Sequence, residues 1–330
     1  MPRIGLLGAG RIGRIHGRNI AAHPKAALAA VADAVPAAAE ALAAETGAAV
    51  SEIAAVLAGP DIDAVVIATP TDTHADLIEA AVRQGKAVFC EKPVDLDAAR
   101  IRACLAVVGE AGRPLMIGFN RRFDPSFAAL KARLQAGEIG AVEIVTILSR
   151  DPAPPPASYI ARSGGLFRDM MIHDLDMARF LLDEEPVEVF AQGACLVDPA
   201  IGEAGDVDTA TVALKTATGK LVQISNSRRA SYGYDQRIEV HGAKGLLRAG
   251  NQRATTVEAA SASGYSRDPA LTFFLDRYRE AYQAELSAFI ETVSAGRPPA
   301  PSGEDGLKAQ ILADAATESW RSGRPVNLVA

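Results

Sequence analysis

Short apolar runs alternate with longer amphipathic or alanine-rich segments over the first 120 residues of the chain. This alternation predicts βα units around a parallel sheet, and strands that are apolar throughout indicate a sheet covered by helices on both faces. We predict strands at 4–7, 28–32, 64–68, 87–90 and 115–117. We predict helices at 12–22, 36–46, 53–57, 74–84 and 97–111. Residues 1–120 should therefore form a doubly wound α/β domain.

The pattern changes after Gly118, where β-rich segments follow one helix. Polar residues occupy every other position of 209–215, which predicts a sheet with one face against helices and the other open to self-association. The predicted helices are 125–134, 273–293 and 306–321, and the predicted strands are 142–149, 187–192, 209–216, 220–227, 237–241 and 245–248. Residues 121–330 should form an α+β domain with a largely antiparallel open sheet. For residues 326–328 two predictions stay open: an edge strand of this sheet, or a return of the chain to the first domain.

Length, composition and charge narrow the class of protein. A chain of 330 residues exceeds the usual size of one core, and 49% hydrophobic with 22% charged residues is typical of a globular protein. The net charge of −6 and the scattered Lys and Arg residues argue against a nucleic-acid partner. We predict neither a signal peptide nor a membrane span. Cys90, Cys104 and Cys195 match neither a disulfide framework nor a zinc site, so we expect a cytoplasmic protein.

A glycine-rich turn follows the first predicted strand and opens the first predicted helix, with the sequence Gly8-Ala9-Gly10-Arg11-Ile12-Gly13. This context is typical of a Rossmann dinucleotide site, in which Gly8 permits the turn, Gly10 admits the pyrophosphate and Gly13 allows close helix packing. Asp33 lies 20 residues past Gly13, at the end of the second predicted strand. A carboxylate there binds ribose hydroxyls and repels a 2′-phosphate, so we predict NAD rather than NADP.

Two further strand ends carry candidate ligand-binding residues. Thr69 and Pro70 follow the strand at 64–68, and His74 opens the next helix. Glu91 and Lys92 follow the strand at 87–90. The carboxyl ends of parallel strands face the ligand crevice, so we predict that these five residues lie at the cofactor site.

Four strings together resemble the Gfo/Idh/MocA oxidoreductases, and within that family the members that oxidise inositol. They are the glycine-rich turn, the segment 68–74, the segment 90–93 and the segment 164–174, so the resemblance covers essentially the whole chain. The resemblance implies an NAD-dependent oxidation of a secondary alcohol on a cyclic polyol, with myo-inositol or scyllo-inositol as the expected substrate. It also implies a homotetramer formed through the open sheet.

Lys92, Asp169 and His173 form the predicted catalytic group. Asp169 and His173 are four residues apart, so on one helix they share a face. An imidazole suits removal of the hydroxyl proton, a carboxylate suits its orientation, and a lysine ammonium suits stabilisation of the developing alkoxide. The resemblance implies these three roles. Hydride transfer to NAD needs no metal, so we predict none.

The resemblance further implies a polyol pocket. Besides the catalytic group, its lining residues are Asn120, Arg121, Arg150, Asp151, Tyr234 and Tyr282. Inositol-oxidising relatives often carry His and Asn near the strand end at 149–151, whereas this chain has Ser149, Asp151 and a proline-rich segment at 151–156. Because of that departure, the sequence does not decide the substrate: scyllo-inositol, myo-inositol, an inositol-like pyranose and a related sugar all remain alternatives.

Three other functions remain alternatives from the sequence alone: an aldose dehydrogenase, an enzyme that processes glycosides with recycled NAD, and a regulatory NAD sensor. A recycling enzyme would retain its cofactor without net NADH formation. A sensor has no need for Lys92, Asp169 and His173 together.

Overall fold

The computed structural model describes residues 1–328. The chain forms two compact units. Unit 1 comprises Met1–Phe123 and Ala281–Gln310, and unit 2 comprises Asp124–Glu280 and the described residues from Ile311 onward.

Unit 1 is built on βα repeats. Its strands are β1 (Arg3–Leu7), β2 (Ala27–Ala32), β3 (Ala49–Val50), β4 (Ala64–Ile67), β5 (Ala87–Glu91) and β6 (Leu115–Gly118). Its helices are α1 (Arg11–Ala22), α2 (Pro36–Thr46), α3 (Ile53–Ala58), α4 (His74–Arg83) and α5 (Ala98–Ala111). The predicted elements are present, and the short β3 is an addition.

The six strands of unit 1 form one sheet in the order β3-β2-β1-β4-β5-β6, with parallel pairing at the described registers. Every residue of β4 is buried, as the uniformly apolar run predicts for a covered sheet. Sequence order reverses between β1 and β4, and ligands bind such sheets beside this switch point at the carboxyl ends of the strands. The predicted doubly wound fold is confirmed.

The segment Ala281–Gln310 groups with unit 1, whereas the sequence prediction placed 121–330 in the second domain and allowed only a C-terminal segment to return to the first. Its helix packs on the first core, where the rings of Phe89 and Phe289 lie 5.7 Å apart. Ile117 N–H donates to the Pro301 carbonyl at 3.0 Å, which ties the segment to β6. An amphipathic pattern predicts a helix but does not tell which core the helix covers.

Unit 2 is a seven-stranded sheet with helices. Its first elements are α6 (Pro125–Gln135), β7 (Val142–Arg150), α7 (Ala157–Ser163), α8 (Leu166–Asp169), α9 (Ile172–Leu182), β8 (Pro186–Ala194) and α10 (Pro199–Glu203). They are followed by β9 (Thr209–Thr216), β10 (Leu221–Ser227), β11 (Asp235–Gly242), β12 (Gly245–Ala249), β13 (Glu258–Ser261), β14 (Gly264–Arg267) and α11 (Phe274–Arg277). The last elements of the chain are α12 (Arg279–Ala295), α13 (Gly303–Ser322) and β15 (Val326–Asn327).

The sheet of unit 2 has the order β12-β11-β7-β10-β9-β8-β15. β7 and β10 pair in parallel and the other neighbours are antiparallel, so the predicted largely antiparallel sheet is confirmed. β15 pairs with β8 at the edge of this sheet, so of the two alternatives for 326–328 the edge strand is correct. Burial alternates along β9, with one side chain buried and the next exposed, as the sequence pattern predicts.

Two predicted features of the second half of the chain differ locally from the structure. The helix predicted at 273–293 is divided into α11 and α12, because the hydrogen-bond pattern is interrupted at Tyr278. Residues 258–267 add an exposed hairpin of β13 and β14 that the pattern did not predict. Among residues 1–328, no helix combines the length and the apolar character needed to cross a bilayer.

Candidate functional site

The glycine-rich turn between β1 and α1 has the geometry that its sequence predicts. Gly8 has a φ of +97°, and a Cβ there would lie 2.5 Å from the Ala68 carbonyl oxygen. A Cβ at Gly13 would lie 2.8 Å from the Gly8 carbonyl carbon and closer still to its oxygen. Gly10, in contrast, is exposed and a Cβ there would meet nothing within 4 Å. Gly8 and Gly13 are thus required by the protein's own backbone, whereas Gly10 keeps the approach to the N-terminus of α1 open.

Asp33 holds this turn against the end of β2. Its Oδ2 accepts a hydrogen bond from the Ala9 N–H at 2.6 Å, and its Oδ1 accepts one from the Val35 N–H at 2.7 Å. An ionised carboxylate has about four acceptor positions, so two of these bonds leave acceptor capacity for ribose hydroxyls. Asp33 therefore supports the turn and is suited to NAD at the same time.

His74 joins the loops that follow β4 and β5. One ring nitrogen lies 2.8 Å from the Thr69 carbonyl oxygen and the other 2.8 Å from the Pro93 carbonyl oxygen. The Thr69 and Thr73 hydroxyls are 2.7 Å apart, which closes the first loop on itself. The bond from Lys92 to Pro93 is cis. The sequence predicted cofactor binding for His74, and the structure adds a role in fixing both loops.

Asp169 and His173 lie on successive helices of unit 2, so the single shared helix predicted from their spacing is wrong. α8 ends at Asp169 and α9 begins at Ile172, with Met170 and Met171 between them in right-handed helical conformation. The backbone stays near helical angles, but Met171 N–H bonds back to the Leu166 carbonyl, which breaks the regular pattern. A four-residue spacing does not reveal such a break.

Asp169 is oriented by two side chains of unit 2. The Tyr159 hydroxyl donates to Asp169 Oδ1 at 2.9 Å, and Arg228 Nη2 lies 3.5 Å from Asp169 Oδ2. Arg228 is almost completely buried, whereas the Asp169 side chain keeps 14% exposure. Neither Tyr159 nor Arg228 is among the site residues predicted from the sequence. Arg228 follows β10, whose end Ser227 pairs with Arg150, but the sequence does not reveal that β7 and β10 pair in parallel.

A buried polar layer fixes α9 next to His173. The Ser149 hydroxyl donates to Asp174 Oδ1 at 2.6 Å, and Asn226 Nδ2 donates to Asp174 Oδ2 at 2.8 Å. Asp174 is completely buried, and buried carboxylates persist when hydrogen bonds satisfy them. This layer connects α9 to the ends of β7 and β10, so the helix that carries His173 has a defined position on the sheet.

The predicted substrate residues are divided between the units. In unit 1, Asn120 and Arg121 are buried in a 3-10 turn, and Tyr282 packs edge-on against His16 at 5.8 Å. In unit 2, Arg150 Nη2 donates to the Ser225 hydroxyl at 3.2 Å. Tyr234 is buried and packs edge-on against Tyr278, and the Asp151 backbone N–H donates to the Ser227 carbonyl oxygen at 3.0 Å. Lys92 belongs to unit 1, and Asp169 and His173 belong to unit 2.

Two buried thiols of unit 1, Cys90 and Cys104, are held in the protonated form. Burial raises the pKa of Cys90 well above its ordinary value and the pKa of Cys104 to about 12, so neither thiol ionises near neutral pH. Within residues 1–328, the group of candidate metal ligands that lie together is His16, Glu91 and Glu285, and it contains neither Asp169 nor His173.

The chain matches two family models. Residues 2–119 match the oxidoreductase family with an NAD-binding Rossmann fold, and residues 127–248 match the Gfo/Idh/MocA C-terminal domain. The first match contains the glycine-rich turn and Lys92. The second contains Asp169 and His173.

Relatives of this chain are similar along its full length. An inositol 2-dehydrogenase of Rhizobium meliloti is 59% identical over 99% of each chain. A crystal structure of a myo-inositol dehydrogenase from Corynebacterium glutamicum superposes with a TM-score of 0.96 at 49% identity, over 100% of this chain and 99% of that one. A scyllo-inositol dehydrogenase from Lactobacillus casei, with bound NAD(H) and scyllo-inositol, superposes with a TM-score of 0.93 at 31% identity, over 99% of each chain.

Proposed function

The chain belongs to the Gfo/Idh/MocA family of oxidoreductases, and on that premise we propose that it oxidises a secondary alcohol of myo-inositol or scyllo-inositol with NAD. The full-length identity of 59% to an inositol 2-dehydrogenase is the observation that carries this proposal. The similar proteins described above include one named as a myo-inositol dehydrogenase and one named as a scyllo-inositol dehydrogenase, so the proposal extends to both isomers.

The glycine-rich turn and the two neighbouring loops fit the dinucleotide. Gly10 leaves open space at the start of α1, where backbone N–H groups and the helix dipole favour a pyrophosphate. Asp33 has acceptor capacity for the ribose hydroxyls. We assign the cofactor to Gly8, Ala9, Gly10, Arg11, Ile12, Gly13, Asp33, Thr69, Pro70, His74, Glu91 and Lys92. NAD, when bound, accepts a hydride from the alcohol carbon.

Asp169, His173 and Lys92 supply the remaining chemistry in this proposal. His173 takes the proton of the reacting hydroxyl, because an imidazole changes protonation near neutral pH. Asp169, itself oriented by Tyr159 and Arg228, holds the imidazole and the hydroxyl in position. The Lys92 ammonium stabilises negative charge as it develops on the alcohol oxygen.

We assign recognition of the polyol to further polar side chains. A ring polyol presents directional hydroxyls, and Arg, Asp, Asn and Tyr provide the donors and acceptors that such hydroxyls require. The assigned residues are Lys92, Asn120, Arg121, Arg150, Asp151, Asp169, His173, Tyr234 and Tyr282.

A substrate screen tests this function. NADH formation is measured with myo-inositol, scyllo-inositol and common aldoses, and the inositol product is identified as the ketone. We expect at least one inositol to be preferred over every aldose in kcat/KM. Preference for an aldose, or a preference for NADP, would contradict the proposal.

We also propose a homotetramer that forms through the open face of the sheet in unit 2. Ile144 and Leu221 pair in register on β7 and β10, and both are exposed, which is an unfavourable position for large apolar side chains in a monomer. Light scattering should give four times the chain mass. The double variant I144E/L221E should dissociate, and a monomeric wild-type protein would overturn the proposal.

Residence in the cytoplasm is part of the same proposal. All three cysteines are present as thiols in the structure, which suits a reducing compartment. Cell fractionation with activity measurement tests it, and recovery outside the cytoplasmic fraction would contradict it.

A further inference from the structure

Unit 1 contains a cluster of three titratable side chains, of which the proposed function uses only Glu91. His16 lies on α1, Glu91 ends β5 and Glu285 lies on α12, and one polar atom of each lies within 4.8 Å of the other two. His16 and Glu285 are completely buried. The rings of Phe89 and Tyr282 pack edge-on against His16. The cluster is therefore an acid–base group inside an apolar core.

Glu285 is the unusual member of this cluster. Among the residues that the structure describes, neither of its carboxylate oxygens has a hydrogen-bond partner. An ionised carboxylate that is buried without partners is strongly unfavourable, and a second carboxylate nearby makes it more so. Burial, and then the charge of Glu91, raise the pKa of Glu285 well above its ordinary value. Geometry and electrostatics agree on a neutral acid.

Glu91 connects this cluster to the predicted catalytic lysine. Its Oε1 lies 2.7 Å from His16 Nε2. Its Oε2 faces Gly118, where an added Cβ would lie 3.0 Å from that oxygen. Oε1 of Glu91 is thus held by His16, Oε2 lies beside the Gly118 backbone, and the next residue in the chain is Lys92.

We propose that Glu285 is a positioning residue, which acts as a neutral carboxylic acid and, with His16, fixes Glu91 and thereby the peptide that carries Lys92. The proposal rests on the assignment of Lys92 to the proposed reaction. A neutral Glu285 leaves Glu91 as the one negative charge among the three side chains. A second negative charge in this core would repel Glu91 from its place beside His16 and shift the start of the Lys92 loop.

A bound divalent cation is the competing explanation for two carboxylates and an imidazole in one place. The 2.7 Å separation of His16 Nε2 and Glu91 Oε1 is that of a direct hydrogen bond, which favours a proton between these two groups.

Infrared spectroscopy tests the neutral acid without relying on turnover. The difference spectrum between wild-type protein and Glu285→Gln at neutral pH should contain the carbonyl stretch of one protonated carboxylic acid. A carboxylate signal in its place, or a stoichiometric divalent metal that is found by elemental analysis and is lost in Glu285→Gln, would overturn the proposal. Neither measurement uses the substrate, so a failure of this proposal can be distinguished from a failure of the proposed function.

Kinetics test the positioning role. Glu285→Gln preserves shape and neutrality, so kcat should stay within about twofold. Glu285→Leu keeps the core neutral but removes the carboxyl dipole that lies within 4.8 Å of Glu91 and His16, so kcat should fall at least tenfold while the Kd for NAD and the melting temperature are maintained. Glu280→Leu is the matched control on the exposed face of α12. A Leu variant with wild-type kcat, a kcat loss that follows a fall in melting temperature, or a Gln variant that loses tenfold would each refute the role.

Discussion

Substitution of single glycines by alanine should separate the folding role of the glycine-rich turn from its cofactor role. A Cβ at Gly13 would overlap the Gly8 carbonyl group, and neither atom is the end of a flexible side chain. The backbone of α1 or of the turn must therefore move. Overpacking of this kind costs about 1–3 kcal/mol, and rigid backbone favours the upper end of that range. At roughly 2–4 °C per kcal/mol for a unit of this size, Gly13→Ala should lower the melting temperature by about 6–12 °C.

Gly10→Ala should behave in the opposite way. The new methyl group meets no protein atom within 4 Å, so the melting temperature without cofactor should be nearly unchanged. The same methyl group would stand where the pyrophosphate approaches. We expect the Kd for NAD to rise about tenfold to hundredfold, which corresponds to about 1.4–3 kcal/mol.

Gly109→Ala provides the control for glycine replacement itself. Gly109 is exposed within α5, and a Cβ there would meet nothing within 4 Å. It should raise stability by about 0.5–1 kcal/mol without changing the Kd for NAD. Thermal unfolding and fluorescence titration with NAD are the assays. A Gly13→Ala variant with wild-type stability, or a Gly10→Ala variant with wild-type affinity, would refute the assignment of the two roles.

Three further predictions concern unit 2. His173→Ala should lower kcat at least hundredfold with an unchanged Kd for NAD, and unchanged turnover would refute its role in proton transfer. Tyr159→Phe should lower kcat about tenfold through the lost hydrogen bond to Asp169, which equals about 1.4 kcal/mol, and wild-type kcat would exclude an orienting role. Burial acts to raise the pKa of Asp208, but backbone N–H donors outweigh it and hold the pKa at about 2. The lowered pKa stabilises the fold by about 2 kcal/mol above pH 4, and this contribution is lost as the pH falls from about 4 to 2. In denaturant titrations Asp208→Asn should reduce stability at pH 7 and flatten that acid dependence, and an unchanged acid dependence would contradict the assignment.

The sheet of unit 1 could be predicted closely from the sequence. Runs such as 64–68 are apolar at consecutive positions, and a strand covered on both faces requires this. Gly8 and Gly13 have no tolerance for a side chain, so the turn and its sequence signature are dictated by the same backbone contacts. Here local chemistry determines local structure, and the pattern is sufficient.

The remaining features depend on contacts between distant segments. The pattern of α12 predicts a helix, but packing on Phe89 decides that it belongs to unit 1. Arg228 follows β10 and Asp169 ends α8, and only the folded chain brings their side chains to 3.5 Å. Glu285 reaches Glu91 because α12 packs on β5 through Phe289 and Phe89. Spacing along the chain contains none of this information. The division between α8 and α9 has a local cause, and the spacing does not predict it because Asp169 and His173 keep the helical spacing across the break.

Transfer of deuterium from inositol to NAD tests the central claim most directly. Inositol deuterated at the carbon that is oxidised is incubated with NAD and enzyme, and the reduced cofactor and the product are examined by NMR and mass spectrometry. The proposed reaction predicts one deuterium on C4 of the nicotinamide for each keto-inositol released, with NADH accumulating in the same amount. Product formation without net NADH, or reduced cofactor without deuterium, would contradict it.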